Sequence, residues 1–229
     1  MNAKWLDLPA SVRDSVELSV HPPYVFLDRV RQTLDPAIAV GSQNVYDAGG
    51  FGVTTNNCRG NTGATSPNML AGLGVEWILL GHSDRRNNLG ETDDLIAEKA
   101  RLALQPHTNT NNSDSSSSMG IVLTLGEKKE ERDEGRELDV LRKQLLTVAE
   151  AIPGDEATWK KVVLAYEPVW AVGALHYVVL CCVALYCIVL CCVVLKLTDS
   201  VNYVAAVFGQ QYNALHISLT HLYCIVRIR

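Results

Sequence analysis

The 229-residue sequence lacks a basic surplus: 25 acidic residues stand against 20 Lys and Arg, for a formal charge of −5. A nucleic-acid partner, which calls for a basic face, is not expected. No leader is expected at the start, since "MNAKWLDLPASVRDSV" mixes charges with a proline and has no apolar run. The expected compartment is therefore cytoplasmic. The cysteines lack CxxC spacing: Cys58 lies in the body and the other six fall between Cys181 and Cys224. Neither a zinc site nor a disulfide framework follows from that pattern, and no metal or cofactor is expected. The glycines of residues 49–52 do not form GxGxxG behind a strand, which leaves no dinucleotide fingerprint.

Charge is also missing from "LHYVVLCCVALYCIVLCCVVL", residues 175–195, which hold no Asp, Glu, Lys or Arg. A run of that length is a membrane-span candidate. Its β-branched, aromatic residues suit buried strands equally well, and its biased composition also fits translated noncoding sequence. The chain thus divides into a body, 1–174, and an apolar, Cys-rich tail, 175–229, with membrane association expected only through 175–195.

In the body, short apolar runs alternate with amphipathic stretches. "VELSV" (16–20), "AIAVGSQN" (37–44), "VEWILLGHS" (75–83), "GIVLTLGE" (120–127) and "KVVLAYEP" (161–168) read as buried strands. Helical patterns lie between them: "YVFLDRVRQTL", "SPNMLAGLG", "TDDLIAEKARLAL" and "EERDEGRELDVLRKQLLTVAEAI". Ser66-Pro67, and Thr92 before an acidic turn, are helix starts. This alternation predicts a parallel sheet covered by helices, either barrel or open sheet. Two insertions interrupt it. Residues 47–65 form a long glycine-rich connection, and 105–118, with no apolar anchor, should be a flexible surface loop.

Two residues stand where parallel α/β sheets place their chemistry, at strand C-terminal ends. Glu167 ends "LAYEPVW" before a proline, and His82 follows Gly81 in "ILLGHSDRR". At a helix N-terminus His82 should be held neutral by the dipole, while partial burial should make Glu167 a stronger base. Such a pair can move protons beside a carbonyl. A blander arrangement pairs Glu167 with Arg85 or Arg86 and leaves His82 to satisfy a buried backbone group.

"GVEWILLGHSDRRNNLGETDDLIAEKA", "GIVLTLGEKKEER" and "WKKVVLAYEPVWAVG" resemble triosephosphate isomerase, and the likeness runs over about residues 12–173. It implies an incomplete (β/α)8 TIM barrel, with about five of the eight βα units recognisable. It also implies a cofactor-free enzyme of glycolysis and gluconeogenesis, usually a homodimer, that interconverts dihydroxyacetone phosphate and glyceraldehyde 3-phosphate. By that resemblance Glu167 is the base, His82 the neutral electrophile, Ser83 and Asp84 support them, and Gly173 contacts the substrate phosphate from a loop that closes after Pro168. Departures accompany the likeness. Asn2-Ala3-Lys4 repeats the family's lysine triplet without a strand before it and reads as coincidence. Asp84 stands in place of glutamate and Thr124 in place of cysteine. Thr62-Gly63-Ala64 replaces Thr-Gly-Glu in the dimer loop, and the phosphate-gripping motifs do not follow Gly173. Two readings stand beside the enzyme: a catalytically inactive remnant or mis-spliced product, and a membrane-anchored protein without catalysis.

Overall fold

Five runs of β-branched and aliphatic residues become the five parallel strands of one curled sheet. In the computed structural model the described residues are 5–46, 62–108 and 116–171, together with the backbone of 223–228. The strands are β1 (Val16–His21), β2 (Ala39–Ser42), β3 (Trp77–Leu80), β6 (Gly120–Leu125) and β7 (Val162–Tyr166). Two short strands, β4 (His107–Thr108) and β5 (Ser116–Ser117), form a separate ribbon, and β8 (Tyr223–Ile228) joins the main sheet. The order is β7-β6-β3-β2-β1-β8. Within this sheet the neighbours from β1 to β7 are parallel, and among the described residues only β8 runs antiparallel to its neighbour, β1. Such a sheet with helices between its strands is an incomplete (β/α)8 barrel.

Burial explains the near-continuous apolar reading of the strands. Every residue of β2 and β6 is buried, because helices cover one face and the curl closes over the other. All five residues of β7 are half-buried, as expected of a strand with a neighbour on one side among the described residues. The main core joins Ile78, Leu80, Ile121 and Leu123 of the sheet to Leu70, Ile96, Ala100 and Val148 of the helices. Each fully buried Leu or Ile contributes about 1.5–3 kcal/mol. A second cluster, Trp5, Leu18, Val20 and Ile38, packs around β1.

The helix starts behave as their chemistry requires. Ser66 and Thr92 accept backbone N–H bonds from Met69 (3.3 Å) and Leu95 (3.2 Å). The long pattern from 130 to 152 is two helices, Lys129–Asp133 and Glu137–Ala151. Gly135, at φ +70°, turns the chain between them in a conformation a side chain would strain.

The expectation of a flexible loop over 105–118 is corrected at both of its ends. β4 and β5 pair antiparallel, His107 with Ser117 and Thr108 with Ser116. The anchor is polar rather than apolar: the buried His107 ring lies 3.0 Å from Asn68 Oδ1 and 3.1 Å from the Ala103 carbonyl. The insertion at 47–65 lies outside the described residues up to 61; at its far end Tyr46 N–H donates to the Thr65 carbonyl at 2.9 Å.

Candidate active site

Gly81 begins the site by leaving β3 with φ +74°. A Cβ there would lie 2.8 Å from Arg86 Nη2 and 2.9 Å from the Thr124 carbonyl, so glycine is required by space as well as by conformation. The turn makes His82 the N-cap of the helix Ser83–Asn88. Its Nδ1 accepts the Asp84 backbone N–H at 3.2 Å. An acceptor at Nδ1 places the neutral ring's proton on Nε2, and Nε2 lies 3.2 Å from Glu167 Oε1.

Glu167 comes from β7, two strands away in the sheet. Its N–H continues the ladder to the Leu125 carbonyl at 2.8 Å, and Pro168 then ends the pairing. At Gly126 a Cβ would fall 1.8 Å from the Glu167 carbonyl oxygen, so this glycine lets the end of β7 cross the end of β6 closely. The second carboxylate oxygen of Glu167 accepts the Ser83 backbone N–H at 3.4 Å. Of the blander arrangement one half occurs, His82 satisfying the Asp84 backbone N–H, while Glu167 takes neither arginine. Arg85 goes to Glu91 at 2.6 Å, and Arg86 to Asp93 at 2.5 Å and the Gly81 carbonyl at 2.6 Å.

The electrostatic expectation is corrected. Burial by itself lowers the pKa of His82, but the hydrogen bond and charge of Glu167, then the charge of Asp84, outweigh it and leave the imidazole above its ordinary value. Burial pushes Glu167 up, but the His82 bond and charge and the Ser83 N–H outweigh it and leave the carboxyl below its ordinary value. The two groups face each other directly, so each favours the other's charged form.

Side chains without an assigned role in the sequence complete the surroundings. Glu127 is fully buried at the end of β6 and accepts from Tyr166 Oη at 3.1 Å and Trp170 Nε1 at 2.7 Å. The Arg132 guanidinium stands 4.0 Å over the Trp170 ring. These contacts tie residues just after Pro168 to the turn after β6. The motif "YEPVW" signals them only through its tyrosine and tryptophan, whose polar tips need buried partners. Behind Glu167 a cavity of about 490 Å³ is lined by Ser83, Thr124, Gly126, Lys128 and Gln144 among others. Asp84 contributes its N–H while its side chain is mostly exposed. Gly173 and Lys4 lie outside the described residues.

The family model for triosephosphate isomerase matches residues 3–179. The chain belongs to the triosephosphate isomerase family. It is 37% identical over 166 residues to the chloroplastic triosephosphate isomerase of Arabidopsis thaliana, covering 72% of this chain and 45% of that protein. To the chloroplastic triosephosphate isomerase of Fragaria ananassa it is 36% identical over 164 residues, with the same coverage. The chain thus spans less than half the length of these triosephosphate isomerases. Both carry chloroplast names, so the cytoplasmic expectation draws no support from them. Among the described residues no helix is long and apolar enough to cross a membrane, and no group of three or more His, Cys, Asp or Glu could hold a metal. The run 175–195, the basis of the membrane reading, lies outside the described residues.

Proposed function

We propose that Glu167 and His82 interconvert dihydroxyacetone phosphate and glyceraldehyde 3-phosphate by proton transfer through an enediolate. Glu167 takes the proton from the carbon next to the carbonyl, while His82 Nε2–H hydrogen-bonds the carbonyl oxygen as it gains charge. His82 Nε2 protonates the former carbonyl oxygen and takes the hydroxyl proton from the other enediolate oxygen. The carboxyl returns its proton to the neighbouring carbon, and both proton transfers then balance without a cofactor. This division of labour is the family's own. The observation that carries it here is the 3.2 Å separation of His82 Nε2 from Glu167 Oε1, with Nδ1 occupied by the Asp84 N–H.

Without substrate each group holds the other; a carbonyl substrate entering between them would take the Nε2–H bond and free the carboxylate. Ser83 N–H steadies Glu167 before that happens. By resemblance Gly173 contacts the phosphate, and a homodimer is the expected assembly. For the compartment, the chloroplast names of the relatives set a plastid beside the cytosol, and a fluorescent fusion of the full-length coding sequence decides between them.

The test is proton NMR of glyceraldehyde 3-phosphate in D2O with the purified chain. Isomerisation with deuterium entering at the exchanged carbon is expected, slowed about 10²–10⁴-fold by Glu167→Gln. A folded chain that incorporates no deuterium, or an unaffected Glu167→Gln variant, would sink the proposal and favour the inactive remnant.

A further inference from the structure

Of the two residues that the helix Glu137–Ala151 buries, Val148 is apolar and Gln144 is an amide, only 8% exposed. A buried amide is costly unless its polar ends are hydrogen-bonded. Gln144 turns both ends on one residue: Oε1 accepts the Gly126 N–H at 3.0 Å, and Nε2 donates to the Gly126 carbonyl at 3.0 Å. The strand backbone explains why these groups are available. Glu167 and Val169 donate to the carbonyls of Leu125 (2.8 Å) and Glu127 (3.1 Å), so those two carbonyls face β7. The N–H and C=O of Gly126, between them, face the opposite side. There β3 would be the partner, but its last pairing sets Leu80 beside Leu123, and the chain turns away at Gly81. Two residues earlier Arg86 Nη2 meets the Thr124 carbonyl at 3.4 Å. At Gly126 the Gln144 amide substitutes for the missing strand.

On its other side Gly126 touches the backbone of the base. A Cβ there would lie 1.8 Å from the Glu167 carbonyl oxygen and 2.8 Å from its carbon. The two chains are close-packed at this point, so a shift of Gly126 carries Glu167 with it. We propose that Gln144 is a positioning residue for Glu167: by clamping the backbone of Gly126 it fixes the end of β7 and holds the carboxylate 3.2 Å from His82 Nε2. The effect on turnover rests on the isomerase reading; the hold on the His82–Glu167 pair does not.

Gln144→Met tests it, since the side chain keeps its length and loses both bonds. In steady-state isomerisation kcat should fall about 10- to 10²-fold with KM within about twofold, because a misplacement of about 1 Å can cost 10²-fold. In a ¹⁵N NMR titration the His82 midpoint should fall by at least about 0.5 pH unit, a roughly threefold loss of proton affinity, as the carboxylate that raises it moves away. Val148→Ala, on the same helix but with no side-chain bond to Gly126, controls for general loosening. It should lower the urea midpoint and leave kcat and the His82 midpoint near wild type. An active enzyme whose Gln144→Met variant keeps its kcat, or raises only KM, overturns the proposal and leaves the isomerase reading standing. An unchanged His82 midpoint, or an equal fall in Val148→Ala, overturns it also. If the folded wild type does not isomerise its substrate, the isomerase reading fails and the His82 midpoint alone decides the clamp. Should Gln144→Met not fold, Gln144→Asn, an uncharged amide one methylene too short to span both groups, is read in the same way. Hydrogen exchange of the wild type needs no variant: the Gly126 amide proton should be protected, and exchange as fast as that of an open turn overturns the proposal.

Discussion

Acidification from pH 7.5 to 4 should cost the folded chain several kcal/mol at one side chain, His21. Its ring is fully buried at the end of β1 and covers Gly41, where a Cβ would lie 2.2 Å from Cε1. Nδ1 lies 3.1 Å from the Ser42 carbonyl, an acceptor only, so the proton resides on Nδ1. Nε2, 3.0 Å from Ser19 Oγ, then accepts the serine hydroxyl. The neutral ring is fully satisfied and has no carboxylate partner in either bond. Burial accordingly drives the pKa from 6.5 to about 4, with the Ser42 bond opposing.

The sign follows from proton uptake. Between those values the unfolded chain binds a proton at this site and the folded chain does not, so stability falls as the pH drops. The contribution is complete above pH 6.5 and is lost by about pH 4. A displacement of about 2.5 units is worth roughly 3 kcal/mol. Urea unfolding at pH 7.5 and pH 4 measures it, in the wild type and in His21→Asn, whose side-chain amide can still donate to the Ser42 carbonyl. The variant should be weaker at pH 7.5 because it is smaller, yet lose about 3 kcal/mol less on acidification. Equal acid losses in the two proteins would refute the reasoning.

Other expectations follow from the same geometry. Gly81→Ala should cost at least about 1–2 kcal/mol from the φ of +74° alone, read as a lowered urea midpoint. His82 should titrate above its ordinary range in a ¹⁵N NMR experiment, and Glu167→Gln should bring it down, because the charge that raises it is gone. The buried Lys99 pairs with Glu91, which also takes Arg85 Nε at 2.6 Å. Lys99→Met should destabilise by about 3–5 kcal/mol by leaving part of a buried ion cluster unpaired. Adding Glu91→Gln should recover some of that loss, and purely additive unfolding energies would argue against the coupling.

The readable parts of this chain are those whose cause is local. Unbroken apolar runs such as "GIVLTL" are strands because residues buried on both faces leave no polar alternation. Ser66 and Thr92 start helices because a side-chain oxygen three residues before an orphan N–H can reach it. Gly135 was less legible: within a long amphipathic pattern, only its positive φ shows that one helix has become two. The 107–108 and 116–117 ribbon was hidden because its anchor, the polar His107, finds its partners on Asn68 and Ala103.

The site divides along the same line. Position at a strand end, and the resemblance carried by "GHSDRR" and "AYEPVW", single out His82 and Glu167 from the sequence alone. That they meet at 3.2 Å is decided by the sheet order, which brings residues 85 positions apart to the ends of strands separated by a single strand, β6. Their charges also could not be read in isolation. A helix dipole and burial argue for a neutral histidine and a raised glutamate, but direct contact reverses both, since an opposite charge at hydrogen-bond distance outweighs those local effects. Local composition therefore determined the elements, their caps and the two candidate groups. Tertiary structure decided which groups face each other, how they share a proton, and that the last strand closes on the first, because each depends on contacts between residues far apart in the chain.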